Sequence, residues 1–104
     1  MSNNSQIRNT PINFSGSGDN VIISAVAAKE IEVVGLYLVV GGATNLTFKD
    51  GNGLLFSGAL PMSAGGAIVL DETNTMLWFA TPANFIINSS AAVQVSGEIY
   101  YKQE

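Results

Sequence analysis

The chain contains neither cysteine nor histidine. Histidine is the usual proton shuttle near neutral pH, and cysteine is the most reactive nucleophile. The absence of both favours a binding or structural surface over an active site, so we expect no enzymatic activity and no cofactor. The lack of cysteine also fits a reducing cytoplasm, or a protein that gains its stability from assembly.

Charged residues are scarce, at 12% of the chain, which is about half of the usual share. The four cationic residues, Arg8, Lys29, Lys49 and Lys102, are scattered, and the net charge is −4. Binding to phosphates or to an anionic membrane requires several cations on one face. We therefore expect neither nucleic acid nor membrane partners.

Long hydrophobic segments are also missing. The longest apolar run, residues 33–40, is interrupted by Gly35 and is far shorter than the roughly 20 residues of a membrane span. The polar first ten residues do not resemble a secretory signal. We expect a soluble protein made in the cytoplasm.

The 104 residues are enough for one domain, and 47% of them are hydrophobic. Short apolar segments closed by Gly, Asn, Asp or Pro predict an all-β fold, a single antiparallel β-sandwich that is most simply a jelly roll. About eight strands are predicted, at residues 21–27, 31–40, 43–49, 54–57, 67–70, 76–80, 85–88 and 93–102. With so few charges, part of the surface must be apolar, which indicates obligate assembly.

Strict alternation along residues 31–40 predicts two apolar faces, as in a strand that is packed on both sides. One face would carry the odd-numbered residues from Ile31 to Val39, including Tyr37, and the other the even-numbered residues from Glu32 to Val40. Within residues 50–53, Asp-Gly-Asn-Gly predicts a tight hairpin turn rather than a calcium loop, which would need more carboxylates. Pro61 is expected to break the segment that contains it.

Residues 1–20 are rich in Asn, Ser and Gly and predict a flexible polar arm, followed by a sandwich domain at 21–104. Arg8, Ile12 and Phe14 are the candidate contacts of this arm with a larger partner, since Ile12 and Phe14 would share one face of an extended segment. A terminus without any function is the alternative.

Aromatic residues supply the remaining candidates. Trp78 and the tyrosines near the end of the chain suit either core packing or a platform for sugar rings. We expect Tyr37, Trp78 and Tyr100 to lie at a subunit interface. Asp71, Glu72 and Asp50 are expected in solvated turns, with no second carboxylate indicated for glycosidase chemistry at Asp71 or Glu98.

Six segments in their order and spacing resemble the small capsid decoration, or cement, proteins of tailed bacteriophages. They are VVGLYLVV (33–40), LTFKDG (46–51), LPM (60–62), AGG (64–66), WF (78–79) and VQVSGEIYY (93–101).

The resemblance implies a homotrimer that sits on the capsid surface of a virion and bridges neighbouring major capsid proteins. It implies no metal, cofactor or small-molecule substrate. The alternative is a trimeric tail-fibre tip that binds a receptor or carbohydrate, and an enzyme is a remote third reading.

Overall fold

The computed structural model describes residues 6–71 and 78–104. These two ranges contain nine β-strands. No helix occurs in these two ranges. The strands are β1 (Arg8–Phe14), β2 (Gly18–Ile23), β3 (Ile31–Val40), β4 (Thr44–Asp50), β5 (Leu60–Met62), β6 (Ala67–Leu70), β7 (Phe79–Thr81), β8 (Phe85–Ser89) and β9 (Val95–Gln103).

The strands form two antiparallel sheets, named here sheet A and sheet B. Sheet A has the order β1-β9-β3-β6, and β7 also pairs with β3. Sheet B has the order β2-β8-β4-β5. Because β1 and β2, β3 and β4, and β8 and β9 each divide between the two sheets, this order is that of a jelly roll with one additional strand, β7. The predicted all-β sandwich is confirmed.

The core lies between the sheets and is built from alternate residues of the long strands. It consists of Ile12, Ile23, Ile31, Val33, Leu36, Leu38, Val40, Leu46, Phe48, Phe85, Ile87, Val95 and Ile99. Four phenylalanines, Phe48, Phe56, Phe79 and Phe85, pack with ring centroids 5.1 to 6.2 Å apart and connect the two sheets. Offset aromatic packing of this kind stabilises a core beyond its buried area.

A β-bulge in β3 reverses the side of the sheet to which the side chains after the bulge point. The register against β9 shifts between Val33 and Gly35. Strict alternation is therefore wrong beyond Val33: Leu36 and Leu38 point into the core, while Tyr37 is exposed. One additional residue in a strand moves every following side chain to the opposite face.

The predicted flexible arm is wrong for residues 8–14 and 18–20, which lie in strands β1 and β2. Strand β1 pairs with β9 along its whole length, from Arg8 opposite Tyr101 to Phe14 opposite Val95. Ile12 is 1% exposed, and Phe14 packs against the core of its own chain. The two residues do share one face, as expected, but that face belongs to the sandwich. The part of the predicted arm at residues 1–5 lies outside the described residues.

Both strands that contain proline are edge strands. Pro11 lies in β1, at the edge of sheet A, and Pro61 lies in β5, at the edge of sheet B. Proline has no backbone N–H to donate, so it is tolerated where one side of a strand is unpaired. The expectation that Pro61 breaks its segment is therefore wrong.

Several predicted strands occur with changed bounds, whereas the strand predicted at residues 54–57 is reduced to a single bridge. Strand β2 ends at Ile23 instead of residue 27. Residues 54–57 return antiparallel to β4 through a bridge between Lys49 and Leu55 and a hydrogen bond from the N–H of Phe56 to the carbonyl of Phe48 (2.8 Å). Of the strand predicted at 76–80, residues 76–77 lie outside the described part, and β7 begins at Phe79.

Gly97 allows the closest approach between β9 and β3. It lies opposite Leu38, and a Cβ atom built on it would be 1.9 Å from the carbonyl oxygen of Tyr37 and 2.7 Å from the Cα of Leu38. Both neighbours are backbone atoms, which cannot move without disturbing the pairing. Glycine is therefore required at this position.

We expect Gly97→Ala to lower the free energy of unfolding by about 3 kcal/mol, because the added methyl group forces the two central strands apart. Gly58→Ala is the matched control, since a Cβ there has no neighbour within 4 Å, and its effect should stay within about 1 kcal/mol. Urea denaturation followed by circular dichroism measures both. Equal effects of the two substitutions would contradict the steric argument.

Candidate functional site

The outer face of sheet A, which points away from sheet B, carries apolar side chains in neighbouring positions. Tyr37 on β3 lies opposite Val69 on β6 and opposite Glu98 on β9. Tyr37 is 45% exposed and Val69 is 65% exposed, and Val39 is exposed two residues after Tyr37. The solvent side of an antiparallel sheet normally carries polar residues. A contiguous apolar patch there indicates an interaction surface.

A carboxylate held by hydrogen bonds lies beside this patch. The Tyr100 hydroxyl donates to Oε1 of Glu98 at 2.8 Å, and Nδ2 of Asn9 donates to Oε2. Residue 9 belongs to β1 and residues 98 and 100 to β9, so two strands hold the group. We call Asn9, Tyr37, Glu98 and Tyr100 the Glu98 cluster.

Hydrogen bonds keep the Glu98 side chain ionised. The bond from Tyr100 and then the bond from Asn9 lower the pKa of Glu98 below its ordinary value, with a smaller contribution from Tyr37. Partial desolvation acts in the opposite direction and is outweighed. The face therefore presents an oriented negative charge next to aromatic and aliphatic side chains.

Trp78 is fixed in place at the edge of sheet A. Its backbone N–H donates to the carbonyl of Val33 at 2.8 Å, and its indole Nε1 donates to the carbonyl of Asp71 at 2.9 Å. The side chain is nevertheless 46% exposed. The ring is thus oriented by the protein while part of it faces solvent.

The structure brings together only some of the predicted site residues. Tyr37 and Tyr100 meet at the Glu98 cluster, whereas Trp78 bonds to the other half of β3. Arg8 is exposed at the start of β1. Ile12 is wrong as a contact to a partner because it is buried, and Phe14 is half-buried against the same core.

Asp50 has a role that the sequence prediction missed. It is 3% exposed, and its carboxylate accepts hydrogen bonds from the backbone N–H groups of Asn52 (2.9 Å) and Leu54 (3.0 Å) and from the Thr81 hydroxyl (2.8 Å). Burial by itself raises the pKa of Asp50. The hydrogen bonds together lower the pKa by more than burial raises it, so the pKa lies below its ordinary value. The prediction of a solvated carboxylate is wrong, although the hairpin turn at 50–53 is confirmed.

The residue pattern contains a signal for this role, because Asp at the end of a strand before Gly-Asn-Gly is typical of a side chain that accepts bonds from the following turn. Its own turn and Thr81 occupy the carboxylate oxygens. Within residues 6–71 and 78–104, no group of three His, Cys, Asp or Glu side chains is placed to hold a metal ion. In the same ranges, no helix is long and apolar enough to cross a membrane.

No protein-family model, curated protein or solved structure matches the chain. Its function must therefore be argued from the geometry of sheet A and from the resemblance of its segments.

We expect Asp50→Asn to destabilise the protein by about 1 to 3 kcal/mol at pH 7, because an ionised acceptor of three hydrogen bonds is lost. A carboxylate with a lowered folded-state pKa stabilises the fold above its unfolded pKa, near 3.9, and loses that contribution as pH falls through the folded value. The difference between wild type and variant should thus be constant near neutrality and shrink below about pH 4.

Urea denaturation between pH 3 and pH 7 measures this difference, with the exposed Asp71→Asn as the control. A difference that is the same at pH 3 and pH 7 would show that the charge of Asp50 does not contribute.

Proposed function

We propose that this protein is a virion structural protein, a capsid decoration protein that forms a homotrimer and stabilises the head by bridging neighbouring major capsid proteins. The observation that best supports this function is the exposed apolar patch around Tyr37, Val39 and Val69. It lies on a small jelly roll that has few charged residues. The resemblance of six segments to decoration proteins supports the same role.

Subunit contacts would bury this outer face of sheet A. Aromatic and aliphatic side chains gain free energy when they leave water, and Tyr37 at the middle of the patch supplies the large, rigid contact that interface centres favour. Tyr100 lies beside it, and Trp78 extends the surface along the edge of the sheet. These three residues remain the proposed interface residues.

A trimer would bind the shell more tightly than its single subunits. Each subunit touches the capsid weakly, but once one is bound, the other two are held at a high effective concentration near their own sites. The overall affinity then exceeds that of each contact by orders of magnitude. A clamp of this kind joins several shell subunits, so local rupture of the head must break several contacts at once.

We expect Val69→Glu to dissociate the trimer, since it places a charge in the apolar patch. The matched control is Val21→Glu on β2, a residue that is 51% exposed on sheet B. Sedimentation velocity at micromolar concentration should give a trimer for wild type and control and a monomer for Val69→Glu, with unchanged circular dichroism. A monomeric wild type would contradict the assembly.

The same variants test the role on the capsid. Heads assembled from the major capsid protein encoded nearest to this gene are sedimented with each purified variant. Wild type and Val21→Glu should cosediment, while Val69→Glu should bind at least about a hundredfold more weakly through lost multivalency. The absence of any wild-type binding would reject the decoration function.

A carbohydrate-binding tip of a tail fibre is the second candidate, favoured by the fixed and half-exposed ring of Trp78. An oriented aromatic ring provides an apolar surface on which a sugar ring can stack. This function predicts binding on a glycan array that Trp78→Ala abolishes and Val26→Ala, at another exposed apolar position, preserves. An array without signal for the wild type would exclude it for the glycans displayed.

A further inference from the structure

The Glu98 cluster offers acceptors to a partner and has a fixed geometry. A carboxylate has four lone-pair directions, and three donors of its own chain use them: Tyr100 on Oε1, Asn9 on Oε2 and, with a smaller effect, the Tyr37 hydroxyl. The carboxylate is thus oriented by its own chain and keeps acceptor capacity for an incoming donor. Tyr37, on the neighbouring strand opposite Glu98, adds an exposed aromatic ring.

Among the described residues, no cation forms an ion pair with the Glu98 carboxylate. The ion pair between Lys49 and Asp19, at 3.1 Å, is the only one within residues 6–71 and 78–104. A carboxylate beside an apolar contact surface opposes association unless the partner brings a positive charge, because desolvating an unpaired ion is costly. A partner that covers the patch must therefore supply a cation at Glu98.

Arg8 is the cation best suited to that position. It is the only arginine of the chain, it is exposed, and no described carboxylate pairs with it. Arg8 is not placed to pair with Glu98 of its own subunit. The adjacent residue, Asn9, contacts Glu98 on the outer face, so the Arg8 side chain points to the opposite side of β1. A guanidinium group can donate to the remaining acceptor direction of the carboxylate and stack on an adjacent aromatic ring at the same time, which an ammonium group does less well.

We propose that the Glu98 cluster of one subunit binds the guanidinium group of Arg8 from a second copy of this chain, with the Tyr37 ring beside the ion pair. The inference rests on the trimer of the proposed function and names the polar contact that orients it. Arg8 and Glu98 lie on different surfaces of one subunit, so the contact is head-to-tail, and three such contacts close a ring. The apolar patch supplies the area, and the ion pair fixes which surface of the neighbour it meets.

Sedimentation equilibrium of charge variants tests the pairing. Arg8→Gln and Glu98→Gln should each weaken subunit association by at least about tenfold. The double variant should associate no more weakly than whichever single variant associates more weakly, because both substitutions remove the same contact. The exchange of charges, Arg8→Glu with Glu98→Arg, should restore association to within about threefold of wild type, because the pair is rebuilt in reverse. Lys29→Gln, at another exposed cation, is the control and should have no effect. Thermal unfolding by circular dichroism verifies that each variant folds.

The outcomes separate this inference from the proposed function. A monomeric wild type rejects the trimer itself. A trimer that Val69→Glu dissociates but that Arg8→Gln and Glu98→Gln leave unchanged rejects only the ion pair. Weakening by both single substitutions without restoration by the charge exchange also rejects it, since the two residues would then act separately. Loss of head binding in Glu98→Gln with an intact trimer would assign the cluster to a cation of the capsid and overturn the pairing with a second copy.

Discussion

The antiparallel pairing of β3 with β9 is the constraint on which both the core and the candidate site depend. These strands occupy the centre of sheet A, and their register extends from Ile31 opposite Gln103 to Val40 opposite Val95. Gly97 permits their backbones to meet closely. The same register places Tyr37 beside Glu98, so the interior and the exposed face are set by one set of hydrogen bonds. Since β4 to β8 lie between β3 and β9 along the chain, this pairing joins distant segments, which favours slow folding.

The bulge in β3 gives the outer face its character. The strand begins with Ile31 and Val33 in the core, and the additional residue then turns Leu36, Leu38 and Val40 inward. Their alternates, Tyr37 and Val39, are left on the solvent side. An exposed apolar patch thus arises because this part of the strand is apolar on both faces. Bulges commonly redirect side chains at functional positions, and here the redirection joins an aromatic ring to a carboxylate from the next strand.

The sequence predicted those features that depend on local patterns and missed those that depend on distant partners. The apolar segments between turn residues were sufficient to predict the sandwich and the positions of most strands. Strand β1 was missed because it is polar and contains Pro11, and its pairing with β9 joins opposite ends of the chain. The burial of Asp50 requires Thr81, which lies 31 positions away. The Glu98 cluster combines residues from three strands, so no sequence window contains it. Trimer formation and attachment to a capsid stay predictions.

The two edge prolines have a consequence for how such a protein can assemble. Pro11 and Pro61 each remove a backbone donor from one of the two open borders of their sheet, β1 in sheet A and β5 in sheet B. A further strand added along either border would meet a gap in its hydrogen-bond ladder, which discourages fibrillar growth by strand addition. The opposite borders, β6 in sheet A and β2 in sheet B, contain no proline. Each sheet is thus protected against strand addition on one side only, so any cross-β contact between copies of this fold would have a preferred direction.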